Sequence, residues 1–237
     1  MHLEEIKRHL ADRIIKSNHY SGTVAFGTQV CLGVFEGDEL LGVLQLGKGV
    51  YPIMTIKHVK DTEMNQYMEL NRMWLSDKLP HNSESKAIGL MFKWMRKNRP
   101  EIKWLISFAD GIEGNCGTIY QATNWIYTGY NQSGGLWVTQ EGKKMHVHSA
   151  SKGLPNQRRE TLEAKWGPLL RVSGGQFRYI YFLDKKWRKR LLIDSYDYPK
   201  ASNLRDYLTI HDGGPKRLEL FDELQEILKR PADSGLF

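Results

Sequence analysis

The chain has 237 residues, 34 Lys and Arg against 27 Asp and Glu, a net charge of +7 and a sequence pI near 9.3, so polyanions are expected partners. Hydrophobic residues make up 41% and aromatics 11%, which excludes a disordered chain and leaves material for one large core or two small ones. Cys31 and Cys116, the two cysteines, exclude a disulfide framework and a CxxC metal or redox motif, and no apolar run is long enough for a signal core or a membrane span; a reducing cytoplasm is the expected setting.

Leu3, Ile6, Leu10 and Ile14 recur at helical spacing and predict an opening amphipathic helix, ended by the run from Ser17 to Gly22. Two apolar stretches, residues 29–35 and 40–46, flank the polar turn Glu36-Gly37-Asp38-Glu39 and predict a β-hairpin. A third strand is expected over Tyr67 to Leu75. A helix then follows, capped by Asn82 or Ser83, favoured at its positive end by Glu84 and stopped by Pro100, with Ile88, Met91, Phe92 and Met95 as its buried face. Residues 103–129 read as a buried strand, a turn with three glycines, a short helix starting near Gly117 and another strand. Residues 134–139 add a further strand. The order implies an α/β (α+β) fold, a mixed sheet with helices on both faces. From about His146 the composition becomes more polar and basic. Residues 1–145 are therefore expected to form the core and residues 146–237 an extension packed on it, with a short helix in 148–167 and a last helix from Pro215 to Lys229.

The turn from Asp110 to Gly117 puts flexible backbone before a helix, which suits an anion held by Gly117 and Thr118, or is an ordinary connection. It is neither a Walker A loop nor a dinucleotide GxGxxG. Tyr120 is a candidate general acid or metal ligand, or packs with its hydroxyl in water; Asp110 is a candidate base, or caps a helix. His19 and Tyr20 sit at a helix end. Glu69 and Arg72 are charges in an otherwise apolar strand. Three apart, they are expected on opposite faces, so that one at least enters a cleft or an ion pair; Arg72 suits a phosphate or carboxylate. His146 and His148 form an HxH pair without a third ligand. Lys185, Lys186, Trp187, Arg188, Lys189 and Arg190, preceded by Phe177, Tyr179, Tyr181 and Phe182, mix cations with flat rings. That mixture suits a nucleic-acid groove, against the alternative of a solvated charged face.

Several ordered motifs together resemble the Mom family of bacteriophage DNA-modification proteins: HYSG (His19 to Gly22), ELNRMW (Glu69 to Trp74), NSES (Asn82 to Ser85), SFAD (Ser107 to Asp110) and GTIYQATNWIYTG (Gly117 to Gly129). The basic-aromatic stretch before Leu192 and Tyr198-Pro199-Lys200 also look like that family. The resemblance is strongest over residues 17–130. It implies a divergent GNAT acyltransferase fold with a mostly antiparallel sheet, and conversion of adenine in DNA to N6-methylcarbamoyl-adenine, hiding phage DNA from restriction nucleases in the host cytoplasm. It also implies functional roles for His19, Tyr20, Arg72, Asp110 and Tyr120, and makes His19, Tyr20, Asp110 and Tyr120 a candidate Fe(II) set. Ordinary GNAT proteins hold the coenzyme A pyrophosphate on a glycine-rich turn. Here Leu79 to Ser85 stands in its place without a glycine and with Glu84 against the anion, leaving Asn82, Ser83 and Ser85 as the donors for acetyl-coenzyme A or another acyl or aminoacyl carrier. The alternatives are a GNAT enzyme acylating a small amine or a protein, and a DNA-binding module without chemistry.

Overall fold

The computed structural model describes residues 1–132, 135–140 and 143–211; the helix expected from Pro215 to Lys229 lies outside them. The chain opens with strand β1 (His2–Glu5) and helix α1 (Arg8–Asn18), then the hairpin β2 (Thr28–Glu36) and β3 (Glu39–Gly47), which turns at Gly37-Asp38 with Glu36 opposite Glu39. A short helix α2 (Pro52–Thr55) leads to strand β4 (Tyr67–Leu75), helix α3 (Ser83–Asn98) and strand β5 (Trp104–Asp110). Helix α4 (Thr118–Ala122) and strands β6 (Ile126–Gln132), β7 (Leu136–Thr139) and β8 (Lys144–His146) follow. Helices α5 (Val147–Ala150) and α6 (Arg159–Trp166) precede the long strand β9 (Leu169–Phe182), and β10 (Leu208–His211) closes the described chain. The opening differs from the expected helix. Residues 2–5 are an edge strand paired with β2, and the helix begins only at Arg8, with Ala11 and Ile15 as its fully buried positions.

The sheet runs β1-β2-β3-β4-β5-β9-β7-β8, with β6 and β10 also on β9; among the described strands every pair is antiparallel except β4 with β5. Helices cover both faces. Alternate residues of β2 and β3 send Leu32, Leu44 and Leu46 to α3, against Ile88, Met91, Phe92 and Met95, while Cys31 and Val43 meet Ala11 and Ile15 of α1. Strand β9 lies beyond the boundary expected after residue 145, yet its second half is sandwiched between β5 and β6. Residues 176–182 thus belong to the central sheet, while residues 169–174 pair with β7 and β10.

Two irregularities position the site. The parallel pairing of β4 with β5 covers only Tyr67 to Glu69 against Trp104 to Ile106, and beyond it the strands separate. On its other edge β4 bulges: Leu70 pairs with Leu46 and Arg72 with Gln45, so Asn71 is the extra residue. The bulge shifts the alternation by one. Glu69 and Arg72, expected on opposite faces, therefore share the α1 face of the sheet.

Candidate active site

The site is built where β4 and β5 part. Ser107, fully buried on β5, has its Oγ 2.9 Å from the Leu70 carbonyl and 2.7 Å from the Tyr120 hydroxyl. A carbonyl only accepts and a serine has one proton, so both contacts are satisfied when Ser107 donates to Leu70 and Tyr120 to Ser107. Burial pushes the Tyr120 phenol up to about 12, so it is protonated and suited to giving a proton rather than taking one. Its hydroxyl is not in water, as its ordinary packing would have had it. Helix α4 carries this tyrosine close to the sheet because Gly117, at φ +84°, lets the chain turn against the Tyr179 ring, where a side chain would collide.

Asp110 ends β5 and accepts a hydrogen bond from Ile112 N–H at 3.0 Å, capping the 3-10 turn Gly111–Glu113. The cap and the candidate base are the same residue: Oδ1 is occupied by the turn, and burial raises the carboxyl above the usual carboxylate range. Glu113, paired to Lys144 at 2.7 Å, adds a second acid next to Asp110. Sequence reasoning did not single out that pair, because Lys144 comes from a separate hairpin.

At the C-terminus of α1, the His19 and Tyr20 rings lie against each other at a tilt of 32°, with centroids 4.2 Å apart. Ser21 Oγ lies 2.9 Å from His19 Nδ1. Burial, reinforced by the Arg72 charge, lowers His19 from 6.5 to about 4, so it is a neutral imidazole at physiological pH. Tyr20 is exposed over much of its surface, yet burial and then the Asp110 charge raise its pKa, and the charges of Arg72, Tyr120 and Glu113 also reach it. Arg72 is held by Thr23 O at 3.2 Å and Asn71 O at 2.8 Å, two carbonyls that fix it without neutralising it. No carboxylate comes within ion-pair distance of it among the described residues.

Behind Arg72, Asn71 Nδ2 donates to Glu69 Oε1 at 3.0 Å, and Asn71 Oδ1 is buried without a partner. Burial raises Glu69, and Arg72 counteracts part of that rise. Gly49, at φ +70°, makes room for this carboxylate, since any side chain there would collide with it. Thus His19, Tyr20, Arg72, Asp110 and Tyr120 are brought together, with Glu69, Asn71, Ser107 and Glu113 added by the fold.

The carrier-binding candidates fare differently. Asn82 caps α3 from a left-handed conformation (φ +67°) without a side-chain cap bond. Ser83 Oγ donates to Pro80 O at 2.6 Å and Ser85 Oγ to Asn82 O at 2.9 Å, so both hydroxyl protons are already used. Gly117 N–H is likewise taken by Asn115 Oδ1 at 2.8 Å, which removes it as an anion donor, while Thr118 is exposed.

The iron expectation does not fit this arrangement. Among the described residues no three His, Cys, Asp or Glu side chains converge. The candidate set offers one imidazole and one carboxylate, burial keeps both phenols protonated, and Tyr120 already bonds Ser107.

The basic run is a separate 3-10 turn, Lys185–Arg190. Lys185, Lys186, Arg188 and Lys189 are exposed and line a surface basin of about 510 Å³. Trp187 is corrected: at 8% exposure it packs with Val59, Tyr67, Trp104 and Phe182, under Arg190 at 4.3 Å. Phe177, Tyr179 and Phe182 are buried too. The rings serve the core, so the expected stacking groove is instead a plain cationic surface.

The family model of the Mom protein family matches residues 1–200. The methylcarbamoylase mom of Escherichia phage Mu is 38% identical over 206 residues, 84% of either chain. Among solved structures, FeeM, an N-acyl amino acid synthase from uncultured soil microbes, aligns with a TM-score of 0.42 at 12% identity over 81% of this chain and 100% of its own. AAC(6')-Ib in complex with ribostamycin and coenzyme A aligns with a TM-score of 0.39 at 11% identity over 81% and 98%.

Proposed function

Because the chain belongs to the Mom protein family, and is thereby a transferase, we propose that it converts adenine in DNA to N6-methylcarbamoyl-adenine, shielding phage DNA from restriction in the host cytoplasm. The observation that carries this reading is the family match, whose span of residues 1–200 contains the whole cluster around Asp110. The cluster suits the chemistry. The exocyclic amine of adenine is a poor nucleophile because its lone pair is delocalised into the ring, and it must shed a proton on forming a new bond to carbon. Asp110, with one oxygen on Ile112 and the other uncommitted, is the proton acceptor. Arg72, anchored by two carbonyls, holds the negative charge of the departing carrier. The proton taken by Asp110 passes on to the departing carrier, while Tyr120, whose own proton is spent on Ser107, holds that serine in place where β4 and β5 part.

Atom balance constrains the donor. The methylcarbamoyl unit contains a nitrogen that an acetyl thioester lacks, so acetyl-coenzyme A alone gives an N-acetyl product. An aminoacyl carrier bearing glycine supplies the right atoms; attack on its carbonyl releases the carrier and gives the glycyl isomer, so a redox-neutral rearrangement must then join the adenine nitrogen to the methylene and leave the glycine nitrogen as the carboxamide. The serine hydroxyls spent on the turn before α3 fit a carrier whose anionic part is not gripped as in ordinary GNAT proteins. The test is mass spectrometry, with fragmentation, of nucleosides from DNA of cells expressing the chain. A methylcarbamoyl deoxyadenosine is expected. Unmodified DNA beside folded protein that acetylates a small amine overturns the reading.

A further inference from the structure

Five large apolar side chains stand in water on two neighbouring segments, the loop before β2 and the loop that runs into α2: Phe26 (80% exposed), Val50, Tyr51 (74% exposed), Ile53 and Met54. Such a concentration is rare on a surface without a partner. The loops are tied at their bases, where Lys48 N–H bonds Gly27 O at 3.3 Å. Each is also tied to the site: Thr23 O receives Arg72 Nε at 3.2 Å, and Gly49 lies against the Glu69 carboxylate. The second loop is firm, because Pro52 starts α2 and the Tyr51 carbonyl accepts from Thr55 N–H at 3.0 Å and Thr55 Oγ1 at 3.0 Å. Further along, this segment carries exposed Lys57 and Lys60, and Lys60 N–H bonds Arg190 O at 2.8 Å. One stretch of chain, residues 48–60, therefore runs from the site mouth to the basic turn.

We propose that Phe26 and Tyr51, backed by Ile53, form a wedge that enters the base stack of duplex DNA beside the site, filling the gap left by an extruded adenine while the cations of residues 57–60 and 185–190 hold the flanking phosphates. This rests on the proposed adenine modification and adds how a paired base reaches Asp110. A base in duplex cannot be attacked at its exocyclic amine without leaving the stack, and apolar wedges are a general means of stabilising that state. Charge favours DNA over a second copy of this chain, which would bring a net charge of +7 against the same cations.

The test compares the unaltered protein with the double variant Phe26→Ala/Tyr51→Ala and with Tyr51→Trp, expressed in cells at matched soluble levels. Modified adenine is counted by mass spectrometry, self-association by sedimentation, and the exposure of unstacked thymines in purified complexes by permanganate. The double variant is expected to keep its fold and its salt-dependent DNA binding, to lose permanganate reactivity, and to modify adenine about 10- to 100-fold less, the worth of one or two stacking contacts. Tyr51→Trp keeps modification, since any flat ring serves. Equal modification by the double variant overturns the wedge and leaves the adenine reading standing, as does a dimer that dissociates on substitution. Absence of modified adenine even with the unaltered protein overturns both.

Discussion

Arg72 and the cations of Lys185–Arg190 are the same kind of charge in opposite settings. Arg72 is half-buried, fixed by two main-chain carbonyls, and surrounded by groups whose pKa values burial has displaced: His19 down, Tyr20, Asp110 and Tyr120 up. The four exposed cations of the basic turn stand in water around a basin. The difference separates chemistry from grip. A desolvated charge acts strongly on a reacting group nearby, while solvated charges act collectively on a polyanion and are screened by salt.

The contrast is sharpened first inside the basic turn. Trp187→Ala is expected to cost about 3–5 kcal/mol of stability, because it empties a packed position, whereas Lys185→Ala should stay within about 0.5 kcal/mol; denaturant melts read both. Arg72→Ala should lower adenine modification about 100- to 1000-fold, comparable to loss of a preorganised charge donor, without changing the salt dependence of DNA binding. Neutralising Lys185, Lys186 and Lys189 together should do the reverse: the slope of log affinity against log salt falls by about 3, near one per phosphate contact, while turnover of bound DNA is kept. A change in turnover instead would place the basic turn in the chemistry.

The smallest effect concerns Glu69. Its carboxyl is raised by burial above the ordinary 4.5, so the folded state binds that proton more tightly than the unfolded state. Native stability from this group is therefore present at low pH and declines as pH rises through and above 4.5. Glu69→Gln should melt a little higher than the unaltered protein at pH 8, with the difference fading below about pH 4.5. His19 runs the opposite way: its lowered pKa makes the fold lose stability as pH falls from 6.5 toward 4.

Local patterns in the sequence were enough to find the hairpin, β4, the buried face of α3 and the strand-turn-helix around Asp110, since each is written in periodicity or in glycine and proline placement. The first strand was not legible, because four residues on a sheet edge carry less pattern than the helical spacing that overlaps them. Nor was the bulge at Asn71. It brings Glu69 and Arg72 onto one face, and nothing local marks an extra residue; only pairing with β3 reveals it. The burial of Trp187 and the insertion of β9 between β5 and β6 depend on contacts far apart in sequence. The family motifs pointed to the candidate residues that the fold gathers, while Ser107, Glu113 and Lys144 acquire meaning only from what they touch.

The central claim is that the buried carboxylate at the end of β5 takes the adenine proton. It is tested by counting modified adenine in DNA from cells expressing Asp110→Asn at a soluble level and melting temperature matched to the unaltered protein. Asparagine retains an oxygen for Ile112 N–H, so the turn should hold, and modification should fall about 100- to 10,000-fold, the usual worth of a positioned base. Full modification by the folded variant would contradict the account.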